Sequence, residues 1–137
     1  MAPQTMTDIQ IRTALETDLE QLTELITPFV ESGKLLPRTF DELRSLLPTL
    51  FIAEQGERIV GCAALEIYSW KLAEVRSLAV ASEVQGQGVG RRLVQACLDR
   101  ARALNILEVM AITSSDAFFM SCGFDYTLPG EKRALFM

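Results

Sequence analysis

The sequence predicts an α/β fold in which one mixed sheet packs against helices, in the order β-α-α-β-β-β-α-β-α-β. Two observations predict it: short alternating segments read as strands, and amphipathic segments with helical spacing lie between them. The chain has 137 residues, of which 49% are hydrophobic and 23% are charged, as in ordinary globular proteins. This size suits a single domain, predicted over residues 9–137 after a short polar tail at residues 1–8.

The pattern of the first third of the chain predicts a strand followed by two helices. Residues 9–12 alternate in polarity and predict the first strand. Thr17 and Glu20 fit a capping box at the start of a helix, which the proline eight residues further on bends or ends. A second capping box, formed by Thr39 and Glu42, predicts a short helix that stops by the next proline.

The centre of the chain changes to the period of strands. Residues 50–54 and 59–65 flank a turn containing Gly56 and predict a β-hairpin. The remaining predicted elements are, in order, a strand at 73–81, a glycine-rich loop at 85–90, an amphipathic helix at 91–104, a strand at 107–112, a short helix at 117–121 and two short strands within 124–137.

Composition excludes several classes of mechanism and partner. The chain has no histidine, which removes Ser-His-Asp and Cys-His catalysis and histidine metal ligands. Cys62, Cys97 and Cys122 lack metal-binding spacing, so no metal site is expected, and their apolar neighbours suit reduced thiols in a cytoplasmic protein. The formal net charge of -5 argues against nucleic acid or an anionic membrane as a partner. Neither a signal peptide nor a membrane-spanning segment is expected.

The loop at residues 85–90 (QGQGVG) carries the clearest functional motif. Glycines let a ligand approach the backbone closely, and the amides of the following helix favour a phosphate or pyrophosphate. Arg91 and Arg92 add positive charge at the same helix end. The loop lacks the GK[ST] of a Walker motif and the GxGxxG spacing of a dinucleotide fold, and a tight turn without a ligand is the alternative.

The loop and its surroundings resemble the GNAT N-acetyltransferase family. Residues 85–90 are similar to that family's [QR]xxGx[GA] acetyl-CoA motif, which follows its fourth strand and precedes its third helix. The family also carries a helix that ends in a Gly-Phe pair, matched here by Gly123 and Phe124. The resemblance extends from Ile11 to about Phe124. It implies the GNAT fold with a splayed central sheet, acetyl-CoA as co-substrate, and a possible homodimer.

A narrower resemblance links the chain to N-acetylglutamate-synthase-type GNAT domains. It rests on residues 35–43 (LLPRTFDEL), 60–65 (VGCAAL) and 73–80 (AEVRSLAV). It implies a small-molecule amine acceptor, most simply an amino acid such as glutamate. Residues 128–133 depart from the group's pattern in a region that helps to form its acceptor pocket. Another amine, such as a polyamine, an antibiotic or a protein N-terminus, therefore stays open as the acceptor.

The family resemblance also assigns candidate site residues. Glu74 matches the proposed general base, and Thr113 is the nearest match to a hydroxyl that serves as general acid, although it could equally cap the next helix. Arg38, which matches a substrate-binding arginine of the family, and Arg76, which shares a strand face with Glu74, are the candidates for binding substrate carboxylates, because guanidinium groups recognise carboxylates with two hydrogen bonds. A surface ion pair is the alternative for each, and for Arg76 the partner would be Glu74. The acetyl-CoA site is expected to include Leu78, Ala79, Val80, Gln85, Gly86, Gln87, Gly88, Val89, Gly90 and Arg91.

Phe119 replaces the tyrosine that many GNAT enzymes use as general acid. A phenylalanine has no proton to donate, so a catalytically silent acetyl-CoA-binding sensor is a further alternative. Tyr68 and Trp70 follow the predicted hairpin, near the place where GNAT acceptors bind. They are expected either to line the acceptor pocket or to pack at the core or the sheet edge.

Overall fold

A computed structural model describes residues 8–113 and 115–126 of the chain. The described residues form a five-stranded sheet in the order β1-β2-β3-β4-β5, antiparallel from β1 to β4, with β5 parallel to β4. The elements are β1 (Ile9–Thr13), α1 (Leu19–Glu31), α2 (Phe40–Leu46), β2 (Leu50–Gln55), β3 (Arg58–Ser69), β4 (Leu72–Val80), α3 (Val89–Ala103), β5 (Glu108–Met110) and α4 (Asp116–Ser121).

This order confirms the predicted fold class and the predicted sequence of elements from the first strand to the last helix. The sheet is mixed and is not closed. The two strands expected around residues 129–130, and all but the last residue of the tail expected at 1–8, lie outside the described residues.

Helices cover both faces of the sheet. Along β2, Leu50 and Ile52 pack against α1 and α2, whereas Phe51 and Ala53 pack towards α3. All four side chains are buried, which is the pattern expected of a central strand with a hydrophobic layer on either side. The domain therefore has three layers, with the sheet in the middle.

The start of α1 differs from the prediction. Asp18, rather than Thr17, occupies the N-cap position of α1, but its side chain makes no hydrogen bond to that helix. Its carboxylate instead accepts a hydrogen bond of 2.7 Å from the Leu15 amide, at the start of the 3-10 turn Glu16–Asp18 that precedes α1. The Arg12 guanidinium on β1 donates to the same carboxylate at 2.8 Å and holds it in place. The helix passes through Pro28 and ends less than one turn later, close to the predicted break.

The capping box of α2 is confirmed. The Glu42 amide donates to Thr39 Oγ1 at 3.1 Å, and the Thr39 amide donates to Glu42 Oε1 at 2.7 Å. The predicted hairpin of β2 and β3 is also present, but β3 continues past its predicted end to Ser69. It then turns back through Trp70 into β4, so β3 and β4 form a second hairpin.

β4 and β5 separate part of the way along β4, as the splayed sheet of the expected fold requires. Their parallel pairing ends at Glu74 and Met110. Ser77, at a bulge opposite β3, has a φ of 55°, which strains a non-glycine residue. Val75 faces α3 before the bulge, but Ala79 faces α1 after it, so the bulge reverses the faces of β4.

Candidate active site

The gap between β4 and β5 opens into two adjoining cavities. The larger has a volume of about 850 Å³ and extends from the glycine-rich loop along β4 to the start of α4. The smaller has a volume of about 280 Å³ and lies towards the segment before α2. The cavities share the wall residues Lys34, Leu35, Val75, Arg76, Ser77 and Ile112, so they adjoin along β4 as the two ends of one cleft.

Glycines expose the backbone at the loop end of the large cavity. Gly86 and Gly88 have φ values of 84° and 80°, and a Cβ atom on either would meet nothing within 4 Å. Gly88 is the N-cap of α3, whose first-turn amides have no partner within the helix. Gly90 has a different role, because a Cβ atom there would lie 3.3 Å from Phe118 Cζ. The loop therefore brings open amides and a positive helix end to the cavity.

The two arginines at this helix end point to different places. Arg91 lines the large cavity and donates to the Ser121 carbonyl at 2.6 Å and to Ser121 Oγ at 2.9 Å, which joins α3 to α4. Arg92 instead donates to the Ile9 carbonyl on β1 at 2.9 Å. Arg91 is therefore the cation of this pair that lies beside the glycine-rich loop.

Most of the expected co-substrate residues line the large cavity, but Ala79 and Gln87 do not. The Ala79 side chain is buried in the layer beneath α1. Because the Ala81 amide donates to Val60 on β3, strand alternation directs the Ala79 backbone to β3 as well. The expected co-substrate residues that do line the cavity are Leu78, Val80, Gln85, Gly86, Gly88, Val89, Gly90 and Arg91.

The smaller cavity brings together the residues expected to handle the acceptor. Glu74 and Arg76 lie on one face of β4, where Arg76 Nε is 4.0 Å from Glu74 Oε2. Arg38 reaches the same cavity from the segment before α2, and its Nε donates to Ser77 Oγ at 3.0 Å. Two distant parts of the sequence, β4 and the segment before α2, thus meet beside the point where β4 and β5 separate.

Glu74 is buried, with 7% of its surface exposed. Tyr68 on β3 donates its hydroxyl to Glu74 Oε1 at 2.6 Å. This hydrogen bond to a carboxylate raises the pKa of Tyr68, so the phenol stays protonated as a donor. Tyr68 therefore orients the expected base, whereas Trp70 is exposed at the turn between β3 and β4.

Glu66, which the sequence did not single out, lines neither cavity but contacts two arginines of the smaller one. It lies on β3 directly opposite Glu74, and two carboxylates in that relation repel one another. Burial raises the pKa of Glu66, but the hydrogen bonds and charges of Arg38 and Arg76 outweigh this effect and lower it. Once the hairpin register is known, the two opposed glutamates indicate that cationic side chains lie nearby. This pairing is the signal from which the importance of Glu66 could have been predicted.

Thr113 lines the large cavity just after β5, and its Oγ1 accepts a hydrogen bond of 2.8 Å from the Ser115 amide. It therefore stabilises the turn before α4. A hydroxyl that accepts one hydrogen bond still has its own proton to donate. Phe119 also lines the cavity and packs edge-to-face on Phe124 at 5.3 Å.

The cysteines do not line the cleft, although Cys62 Sγ donates to the carbonyl of the wall residue Ser77 at 3.2 Å. Cys62 and Cys97 are buried, as expected, whereas Cys122 is half-buried. Burial raises the pKa of Cys62 to about 12, which keeps its thiol protonated and poorly nucleophilic. Within residues 8–113 and 115–126, no cysteine lines either cavity and no cluster of potential metal ligands is found. The described helices include none long and apolar enough to cross a membrane.

Comparison with known proteins defines the class as an acetyltransferase. The model of a family described as the acetyltransferase (GNAT) family matches residues 16–124. The chain therefore belongs to the GNAT family, as the glycine-rich loop and the Gly-Phe pair indicated.

Relatives of known sequence include an uncharacterized N-acetyltransferase from Chlorobaculum tepidum. It is 29% identical over 117 residues, covering 85% of this chain and 76% of that protein. An amino-acid acetyltransferase from Neisseria meningitidis is 32% identical over 131 residues, covering 91% of this chain. The chain spans 30% of the length of that enzyme.

Solved structures give the same picture. The N-acetylglutamate synthase from Neisseria gonorrhoeae, complexed with coenzyme A and N-acetyl-glutamate, superimposes with a TM-score of 0.76 at 30% identity. The match covers 83% of this chain and 27% of that one. A Mycobacterium tuberculosis protein in complex with CoA gives a TM-score of 0.80 at 28% identity, covering 91% and 76% of the two chains.

Proposed function

We propose that this chain is an acetyl-CoA-dependent N-acetyltransferase that acts on the amine of a small amino acid, with glutamate as the first acceptor to test. The observation that carries the proposal is the meeting of Glu74, Arg38 and Arg76 in a cavity that adjoins the glycine-lined one. The gonococcal synthase is complexed with coenzyme A and N-acetyl-glutamate, which supports both the proposed co-substrate and the proposed acceptor.

The large cavity is the proposed acetyl-CoA site. Amides of the glycine-rich loop and the first turn of α3, with Arg91, suit the pyrophosphate. The edge of β4 that β5 leaves uncovered suits the pantetheine arm, which can pair with Leu78 and Val80 as another strand would. Ala79 and Gln87 are left out of this proposed site, because neither lines the cavity.

The smaller cavity is the proposed acceptor site. A protonated amine cannot attack a thioester, so Glu74 takes the proton, directly or through water. The neutral amine nitrogen then bonds to the acetyl carbon, and as the carbon–sulfur bond breaks the nitrogen loses its second proton to solvent and coenzyme A leaves as a thiolate. Thr113 is the proposed relay that passes a proton from solvent to that thiolate. Arg38 and Arg76 hold the acceptor by its carboxylate.

One observation favours a second candidate function. Phe119 stands where many members of the family carry a proton-donating tyrosine, which suits a silent acetyl-CoA sensor. The buried Glu74 beside two arginines favours the enzyme, because a sensor has no need of a base in that position.

Free-thiol release from acetyl-CoA tests the proposal. Glutamate, other amino acids, polyamines and peptide N-termini are each supplied alone, and acetyl-CoA binding is measured in parallel by calorimetry. We expect thiol release with amino acids. Release only with polyamines or peptides would keep the acetyltransferase but reject the amino-acid site. Tight acetyl-CoA binding without release from any acceptor would support the sensor.

A further inference from the structure

We propose that Glu66 is a specificity-determining residue, whose carboxylate competes with the carboxylates of the acceptor for Arg38 and Arg76. This inference rests on the proposed function, since it takes these two arginines as the groups that bind an amino acid. It adds a residue that sets which amino acids bind well.

Both arginines are hydrogen-bonded to Glu66. Glu66 Oε1 accepts a hydrogen bond of 3.0 Å from Arg38 Nη2 and another of 3.0 Å from Arg76 Nη1. A single oxygen of the protein thus joins both guanidinium groups. Carboxylates form strong charge-assisted hydrogen bonds with guanidinium groups, and Glu66 already occupies one donor of each arginine that could bind an acceptor carboxylate.

The smaller cavity has a wall in which positive charge predominates. Its described charged wall residues are Lys34, Arg38, Arg76 and Glu74, an excess of positive charge. Glu66, paired with both arginines, cancels one unit of that charge. This loss of positive charge weakens binding most for an acceptor with two carboxylates and least for an acceptor whose side chain is neutral.

Arg38 and Arg76 each have a contact besides Glu66, which distinguishes a role of Glu66 in specificity from simple support of the arginines. Arg38 is also held by Ser77 Oγ at 3.0 Å, and its side chain is only 10% exposed. Arg76 lies 4.0 Å from Glu74. Because each arginine has a second partner, neutralising Glu66 should leave both in the cavity and free their donors for the acceptor.

The test compares glutamate with glutamine, which have nearly the same shape and differ by one negative charge. kcat and KM are measured for both acceptors in wild type and Glu66→Gln, whose amide oxygen can still accept a hydrogen bond. Glu57→Gln, at an exposed turn away from both cavities, is the matched control. We expect Glu66→Gln to raise the glutamate-to-glutamine ratio of kcat/KM about tenfold, mainly by lowering KM for glutamate.

The possible outcomes separate the two levels of the proposal. An unchanged ratio in Glu66→Gln, or an equal loss with both acceptors, overturns the specificity role and leaves Glu66 as structural support. Absence of transfer to any amino acid by the wild type overturns the proposed function, and this inference with it. If Glu66→Gln does not fold, Glu66→Thr also removes the charge, suits a strand and gives the same comparison.

Discussion

The two ends of the cleft are built in different ways. The loop end consists of consecutive residues whose backbone faces the cavity, and glycine makes that possible at Gly86 and Gly88. The acceptor end consists of side chains from separate segments, held by Arg38–Glu66 and Arg76–Glu66 ion pairs. We expect a site formed by backbone atoms to lose its ligand when a side chain is added at one of its glycines. We expect a site formed by side chains to change its preference among acceptors when one side chain is replaced.

Gly88→Val should have the largest effect. At a φ of 80° a β-branched residue is strained, and its side chain would project where the open amides meet the cavity. We expect acetyl-CoA binding to fall by at least about 100-fold, measured by calorimetry.

Gly56→Val is the matched control for Gly88→Val. Gly56 also has a positive φ, 64°, with nothing near its Cβ position, but it lies at the hairpin turn away from both cavities. The strain is comparable, so the control should lose stability but keep acetyl-CoA binding. Equal binding by the two variants would remove the loop from the site.

Glu74→Gln should have the next largest effect, and on turnover alone. The amide keeps the shape of the side chain but cannot accept the proton, so kcat should fall about 100-fold or more. Acetyl-CoA affinity should be unchanged, because Glu74 does not line the large cavity. Glu108→Gln, on the adjacent β5, is the control. Nearly normal turnover by Glu74→Gln would reject Glu74 as the base.

Arg38→Lys should act on acceptor binding. Lysine keeps the charge but lacks the separate nitrogens with which Arg38 contacts Ser77 and Glu66, and it cannot bind a carboxylate as a guanidinium does, so KM for the amino acid should rise about tenfold with a smaller change in kcat. Arg44→Lys, which alters an exposed arginine of α2, should leave both constants unchanged. A pure loss of kcat would contradict a binding role for Arg38.

Thr113→Val should have the smallest effect. A coenzyme A thiolate leaves without much help near neutral pH, so we expect kcat to fall less than about tenfold. Thr113→Ser keeps the hydroxyl and should restore the rate, whereas a general weakening of the turn would affect both variants in thermal unfolding. Full activity of Thr113→Val would assign the hydroxyl only to its hydrogen bond with the Ser115 amide.

The same contrast explains what could be predicted from the sequence. The Thr39–Glu42 capping box and the glycine-rich loop depend on residues a few positions apart, so local patterns were sufficient. The start of α1 at Asp18 was missed because the carboxylate of that residue is held by Arg12, which lies on a different element. Glu66 was missed for a related reason, since its importance appears only when a hairpin and the segment before α2 meet.

The central claim is that the two ends form one path for an acetyl group, from coenzyme A at β4 to an amino acid beside Arg38. The most direct measurement supplies acetyl-CoA labelled in the acetyl group together with an equimolar mixture of amino acids, polyamines and short peptides, and identifies the labelled product by mass spectrometry. We predict the label on the amine of an amino acid in the wild type and its near absence with Glu74→Gln. Label confined to a polyamine or a peptide would contradict the claim.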